Sequence, residues 1–388
     1  MRRTYKLREV APPLPAAHEP PGKQVWLLNL DQIEPHTGAL LGRDFVGREA
    51  VGSSTHAFDE GNVLYSKLRP YLNKVYLPDG TGFCTSELVP MRPNLSLVTR
   101  EYLGAYLRSP AFLRWVNQQV DGAKMPRVSM KILWEHEVDL PPLDQQVRIA
   151  AVFNRADRLR RRRQEAIRLG DEFLRAAYLD IAAKNPGRAS VESVLAGIPN
   201  AARTGPFGSQ LLVSEFTETG IPVLGIDNVV GNSFAWGERR FVSKEKYQQL
   251  DRYTVRPGDV MITIMGTTGR VAVAPDDLPL CISTKHLCTL SLDRQQMCPD
   301  YLWACLRWDP VVRAQTQKES KGAIMEGWNM GIVKGLQISR PPLDVQLKFA
   351  SLLERASAFS RNARTAADET TTLISSLSAK FLNFTAAI

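Results

Sequence analysis

The chain has 388 residues, 44% of them hydrophobic and 23% charged, a balance that suits two or three globular domains and exceeds one ordinary core. Its net charge of +9 points to an anionic partner, and nucleic acid is the usual one for a chain of this class. No run of eighteen apolar residues occurs and "MRRTYKLREV" lacks the apolar core of a signal peptide, so the expectation is a cytoplasmic protein with no membrane association.

Taken in order, the chain writes itself twice. "LLNLDQI" (Leu27 to Ile33) aligns with "VLGIDNV" (Val223 to Val229) at an offset of 196. "EGNVLYSKL" from Glu60 aligns with "PGDVMITIM" from Pro257 at 197, and "EYLGAYLRSP" from Glu101 with "DYLWACLRWDP" from Asp300 at 199. "GAKM" (Gly122 to Met125) meets "GAIM" (Gly322 to Met325) at 200, as "LPPLDQQ" from Leu140 meets "RPPLDVQ" from Arg340. A drift of only four residues across the chain means one ancestral unit used twice, and so long a period means a duplicated domain and not a solenoid.

Each unit changes texture once. Short alternating segments such as "NVLYSKL" and "DVMITIM", set between turn signals, predict an α+β domain rich in strands. After the paired prolines the pattern becomes helical, because Pro disfavours helix before it and is tolerated at a helix start. Ile149, Phe153, Ala156, Leu159, Ala166, Phe173, Ala177 and Ile181 correspond to Phe349, Leu353, Ala356, Phe359, Ala366, Leu373, Leu377 and Phe381, at mixed three- and four-residue steps. About forty residues of helix reach roughly 60 Å, too long for the inside of one small domain. The two helices form either independent coiled-coil tails or, as the connectivity favours, an antiparallel pair. The domain boundaries follow: 1–140, a first globular domain; 141–185, a first long helix; 186–340, a second globular domain; 341–388, a second long helix.

The charge is unevenly spread. Residues 1–140 carry 17 basic and 15 acidic groups, residues 186–340 carry the same, and residues 141–185 carry 10 against 6, chiefly through "RLRRRR" (Arg158 to Arg163). Six consecutive helical positions point all round, so this run reads as solvated or partner-facing more than as a DNA contact.

Globular domain, long helix, globular domain, long helix, with "TGPFGSQL" (Thr204 to Leu211) and "IPVLGIDNV" (Ile221 to Val229) in the second unit and Pro-Pro-Leu-Asp-x-Gln opening each helix, resembles the specificity subunits of type I restriction-modification systems over essentially the whole chain. The resemblance implies two homologous target-recognition domains, each reading half of a bipartite double-stranded DNA site, separated by two long antiparallel helices that dock methyltransferase subunits, two of them, and through these the restriction and translocase subunits. It implies no cofactor in this chain, with S-adenosylmethionine, ATP and Mg held by the partner subunits. Because the two units differ in sequence, the target is expected to be asymmetric.

Candidate DNA contacts lie where the repeats diverge within a shared frame. "YSKLRPYLNK" offers Lys67, Arg69, Tyr71 and Lys74 in a turn forced by Pro70; Arg can grip guanine through two bonds and Lys can neutralise phosphate. The equivalent "MGTTGRVAV" offers Thr267, Thr268 and Arg270, with glycines that admit close approach of a backbone. "CTSEL" and "ISTKHL" add Ser86 against Thr284 and Lys285, and "DGAKMPRVSM" offers Lys124 and Arg127 where "KGAIMEGWNM" has Ile324 and Gly327. Solvated turns and strand caps explain these residues equally well. On the helices, Phe153, Leu159, Phe173, Leu353, Phe359 and Leu377 are the candidate partner-binding residues.

No catalytic residue and no metal site is expected. The Asn/Asp-Pro-Pro-Tyr/Phe motif of amino-methyltransferases, a phosphate loop, H-E-x-x-H and G-x-S-x-G are all missing. Four of the five cysteines (Cys84, Cys281, Cys288, Cys298, Cys305) are spaced by seven, ten and seven residues, which fits no structural zinc module, so free buried thiols are expected. Three alternatives stay open: a specificity chain of another restriction or phage-defence assembly, a coiled-coil protein-binding scaffold, and a self-contained metal-dependent nuclease.

Overall fold

Both proline pairs do what their chemistry dictates. In the computed structural model, which describes residues 3–122, 124–320 and 327–382, helices begin at the residue after each pair and run Leu143–Lys184 and Leu343–Phe381. Chain contacts divide the protein into one unit of residues 1–165 and 363–388 and a second of 166–362, so each globular part owns half of each long helix. Within the first unit the guanidinium of Arg163 reaches the carbonyl of Ala366 and the hydroxyl of Thr370, while Phe153 shares a core with Leu377 and Phe381. Within the second, Tyr178 packs edge-on to Phe349 with ring centroids 6.2 Å apart, and Gly170 lies beside Ser360. In both units the two helix segments are therefore antiparallel.

The first globular part holds a four-stranded sheet in the order Asp44–Gly47, Gln24–Leu28, Gly82–Thr85, Thr55–Phe58. Gln24–Leu28 runs parallel to Gly82–Thr85, in register Leu27 to Phe83, and the outer pairings are antiparallel. A smaller sheet orders Val75–Tyr76, Val63–Ser66 and Leu88–Met91. A ribbon of Arg3–Lys6 against Glu137–Leu140 returns the chain to the helix start. Val63–Ser66, Leu88–Met91 and Val75–Tyr76 are buried at every position, so both faces of the small sheet are covered, whereas the edge strand Asp44–Gly47 has no buried residue.

The second globular part repeats this plan. Phe241–Val242, Ile221–Leu224, Cys281–Ser283 and Thr254–Val255 form the mixed sheet, again with one parallel pair, Val223 opposite Ile282. Val271–Val273, Val260–Thr263 and Leu287–Leu290 form the small sheet, which gains a fourth strand, Ala202–Thr204. In the first unit the equivalent edge carries Pro12, Pro13 and Pro15, and without the missing N–H donors it makes only an isolated bridge, Pro13 to Met91. The added strand is anchored by Arg203, buried against Asp259, with Thr254 O, Asn200 O and Ser291 Oγ taking its other N–H groups. Four of the five guanidinium N–H donors are thus bonded, which offsets the cost of burying the charge. The α+β fold, duplicated around long antiparallel helices, matches the sequence expectation.

The repeated glutamine has a structural job that sequence reading did not assign. Gln146 and Gln346 are both completely buried. Gln146 Oε1 accepts from the N–H of Thr99 at 2.9 Å, and its Nε2 donates to Leu97 O at 2.8 Å and Pro141 O at 2.9 Å. Gln346 makes the same set in the second unit, accepting from Cys298 N at 2.9 Å and donating to Gln296 O at 3.1 Å and Pro341 O at 2.9 Å. Thr99 and Cys298 are the residues that precede helices Arg100–Leu107 and Pro299–Trp308, so one amide satisfies an orphan N–H at a helix entry and fastens the long helix to the domain. Gln146→Met or Gln346→Met strands three buried polar groups, and each should cost about 3 kcal/mol in chemical denaturation. A loss under about 1 kcal/mol would contradict this account.

All five cysteines are buried free thiols, and burial pushes Cys84, Cys281, Cys288 and Cys305 up to about 12. His136 sits in the first core, 3.0 Å from the Tyr106 hydroxyl and with its ring 3.8 Å from that of Trp115. Burial pushes it down to about 4 from 6.5. Between those values the unfolded chain binds the extra proton, so stability of the first unit falls as pH drops from 6.5 to 4, by about 3 kcal/mol at most. Thermal melts across that window should show the loss in the wild type and not in His136→Gln.

Candidate nucleic-acid interface

In each unit three divergent segments are laced together by main-chain hydrogen bonds at the end of the small sheet. In the first, the hairpin from Val63–Ser66 to Val75–Tyr76 turns through a short 3-10 segment, Pro70–Leu72, flanked by Arg69 and Asn73 in the left-handed region at φ 49° and 50°. Lys67 N–H donates to Glu87 O at 3.0 Å, Val128 N–H to Lys67 O at 3.0 Å and Arg69 N–H to Pro126 O at 2.7 Å. Hairpin, strand link and the 121–128 loop thus share one surface, although they are far apart in sequence.

Side chains divide there into occupied and free. Arg127 clasps Glu87 with its Nε and Nη2, the closest approach being 2.8 Å, and this guanidinium holds the Glu87 carboxyl below its usual range. Lys74 turns inward: its ammonium donates to Leu30 O at 2.6 Å and burial lowers its pKa. In this arrangement the Lys74 ammonium serves the unit's own loop. Arg69, exposed Tyr71 and exposed Lys124 have no side-chain partner among the described residues; Ser86 and Lys67 are half-buried nearby.

The second unit lays out its segments in the same way. Ile264 N–H donates to His286 O at 2.9 Å and Trp328 N–H to Ile264 O at 2.8 Å, which joins the 263–271 hairpin, the 284–286 link and the segment at Gly327 and Trp328. Ile324 lies outside the described residues, so its comparison with Lys124 rests on sequence alone. Gly269 is left-handed at φ 81°, and a Cβ there would come within 3.1 Å of the Trp328 ring. Gly205 of "TGPFGSQL" passes so close to Ser283 and Thr284 that any Cβ would overlap their backbone, which is why a glycine stands at that approach. Thr267, Arg270 and Lys285 are exposed, whereas the hydroxyls of Thr268 and Thr284 are shielded from solvent and bond to nothing among the described residues.

On the long helices the expected partner-binding set splits. Leu159, Phe173 and Phe359 are exposed, at 41%, 57% and 55%. Phe153 and Leu353 instead lie within the cores of the first and second units, and Leu377 packs on the first, so these three stabilise their own units. The physical reason is that mixed steps over forty residues drift around a helix, and one apparent stripe covers two faces. Of the arginine run, Arg158, Arg161 and Arg162 are exposed, Arg163 bonds to the second helix, and Arg160 lies 3.4 Å from Asp157. No group of residues able to hold a metal ion occurs among the described residues, and none of their helices is long and apolar enough to cross a membrane.

The doubled α+β domain, each copy closed by half of an antiparallel helix pair, defines a class of internally duplicated two-domain proteins. Residues 52–169 match the type I restriction modification DNA specificity domain. Over 141 residues the chain is 28% identical to the type I restriction enzyme EcoDI specificity subunit of Escherichia coli, covering 35% of this chain and 31% of that protein. Over 282 residues it is 21% identical to the EcoBI specificity subunit of Escherichia coli, covering 66% and 58%. The alignments thus span less than two thirds of these relatives' lengths. A crystal structure of a type I restriction-modification system S subunit from M. genitalium shares the fold with TM-score 0.62 at 11% identity, over 97% of this chain and 95% of that one. A chain from a structure on complex assembly and conformational transition of the type I R-M system aligns with TM-score 0.53 at 19% identity, over 98% and 97%. Residues 52–169 are thus similar to a type I restriction modification DNA specificity domain, and both of these curated relatives are specificity subunits.

Arg69→Asn keeps a residue that tolerates the left-handed region while removing the cation. Its expected outcome is weaker DNA binding, on the order of tenfold, with no loss of thermal stability, because the Arg69 side chain bonds to nothing among the described residues. Unchanged affinity would remove Arg69 from the interface.

Proposed function

We propose that this chain is the DNA-recognition subunit of a type I restriction-modification complex, in which residues 1–140 and 186–340 are two target-recognition domains reading the two halves of an asymmetric bipartite site. One observation carries the reading: the same three segments converge in both units on the same main-chain hydrogen bonds, yet present different chemistry, Arg69, Tyr71 and Lys124 in one and Thr267, Arg270 and Lys285 in the other. A shared frame with exchanged side chains is what two readers of different sequences require.

The exposed apolar residues Leu159, Phe173 and Phe359 along the helices support docking of methyltransferase subunits, which in turn bring the restriction and translocase subunits. In this reading the chain recognises and does not catalyse; S-adenosylmethionine, ATP and Mg belong to the partner subunits. The relatives' names, each a specificity subunit, lend support to the same assignment.

Co-expression of the chain with a cognate methyltransferase subunit, followed by genome-wide mapping of methylated bases, tests the proposal. The expected result is one asymmetric motif with two halves and a fixed gap, and replacing residues 1–140 by another reader should change one half only. A stable complex with no new methylation would instead favour a scaffold or a non-methylating defence assembly. Mg-dependent cutting by the pure chain would favour a nuclease.

A further inference from the structure

Beside the recognition hairpin of the second unit lies a cleft of about 460 Å³ whose walls carry more positive charge than the fold requires. Arg270 comes from the hairpin, Arg307 and Arg313 from the two short helices Pro299–Trp308 and Pro310–Ser320, and Arg175 from the long helix. Among the described residues the only carboxylate lining it is Asp171, and Arg307 occupies both its oxygens at 2.9 and 3.1 Å while lying over the rings of Trp303 and Trp308. Arg175, Arg270 and Arg313 are exposed and have no carboxylate partner among the described residues. Three uncompensated guanidinium groups facing one cleft repel each other unless an anion joins them.

The internal repeat separates which of these arginines the scaffold needs. Arg307 has a counterpart in Arg108, which likewise bonds an aspartate of the first long helix, Asp157. That arginine is therefore part of the shared frame. The other three have no such equivalent: Leu113 stands for Arg313, Ser375 for Arg175, and Lys74, turned inward onto Leu30 O, for Arg270. The extra cations belong to the second unit alone and leave its folding unserved.

We propose that Arg175 and Arg313, beside Arg270 of the reading hairpin, form a clamp on the phosphate backbone of duplex DNA, and that these two arginines fix the register of the second recognition domain without reading bases. This rests on the DNA-recognition reading above and adds to it a division of labour. The cleft opens next to the Gly266 to Gly269 turn, so a strand whose bases meet Thr267 and Lys285 passes its phosphates over the arginines. Arg suits the position because its planar fork donates two parallel bonds to one phosphate. The two readers carry equal charge overall, so what differs is placement: the second gathers arginines at this cleft.

The test uses the full chain in complex with its methyltransferase subunits, binding a duplex that carries the mapped motif over a series of salt concentrations. Arg175→Gln/Arg313→Gln should bind about tenfold more weakly at physiological salt, and its plot of log affinity against log salt should be shallower by nearly two, at about 0.9 per lost phosphate contact. The methylated motif should stay the same, and Arg175→Lys/Arg313→Lys should restore the slope. An unchanged slope in a variant that melts like the wild type would overturn the clamp while leaving the recognition reading intact. So would a change in the motif, since the residues would then read bases. If the wild-type complex holds no duplex at all, the recognition reading falls and the clamp falls with it.

Discussion

A single side-chain amide in each repeat sets the geometry on which the rest depends. Gln146 and Gln346 lie at the first turn of a long helix and reach back to the entry of a short helix in the globular part. Each bonds one N–H and two carbonyls that would otherwise be buried unpaired, so the angle at which the helix leaves its domain is fixed by hydrogen bonds and not only by packing. The Pro-Pro-Leu-Asp segment before them is the local half of the same device. The prolines stop the preceding strand, and Asp144 and Asp344 place a negative charge at the positive end of the helix. That is why this short phrase recurs while much of the sequence between its copies has diverged.

With the frame held this way, the loops at the end of the small sheet are free to change. Main-chain bonds join hairpin, link and loop in both units, and such bonds are indifferent to side-chain identity. Substitution there can therefore alter what the surface offers without altering where it is. The costs are local. Arg127 needs Glu87, and the Trp328 ring demands glycine at position 269. The unit with the prolines at its edge keeps three strands in the small sheet, whereas the unit with buried Arg203 and Asp259 builds a fourth, so even the frame tolerates one addition when its charges are fully paired.

The same logic separates the arginines of the chain into kinds. Some, such as Arg108, Arg203 and Arg307, are consumed by carboxylates or carbonyls inside a unit and serve the fold. Others, such as Arg69, Arg175, Arg270 and Arg313, keep their donors toward solvent. A net charge of +9 does not distinguish them, because it counts both. Partnership decides which cations are available to a polyanion, and partnership is a matter of three-dimensional neighbours.

The sequence by itself determined the duplication, the two helix starts and the class of fold, since each of these is written in local chemistry: paired prolines, alternation of period two, and an offset that drifts by four residues over the chain. It also marked the three divergent segments, since comparing the copies shows where a shared frame changes its residues. Tertiary structure alone decided what those residues do. Lys74 and Arg127 look as available as Arg69 in the sequence, yet one meets Leu30 O and the other Glu87, through contacts spanning 44 and 40 positions. Phe153 and Phe173 belong to one apparent stripe, yet one is buried and the other is 57% exposed. The cleft that gathers Arg175, Arg270 and Arg313 draws on positions 138 residues apart. No periodicity reports such a meeting, because it is set by how sheets and helices pack and not by spacing along the chain.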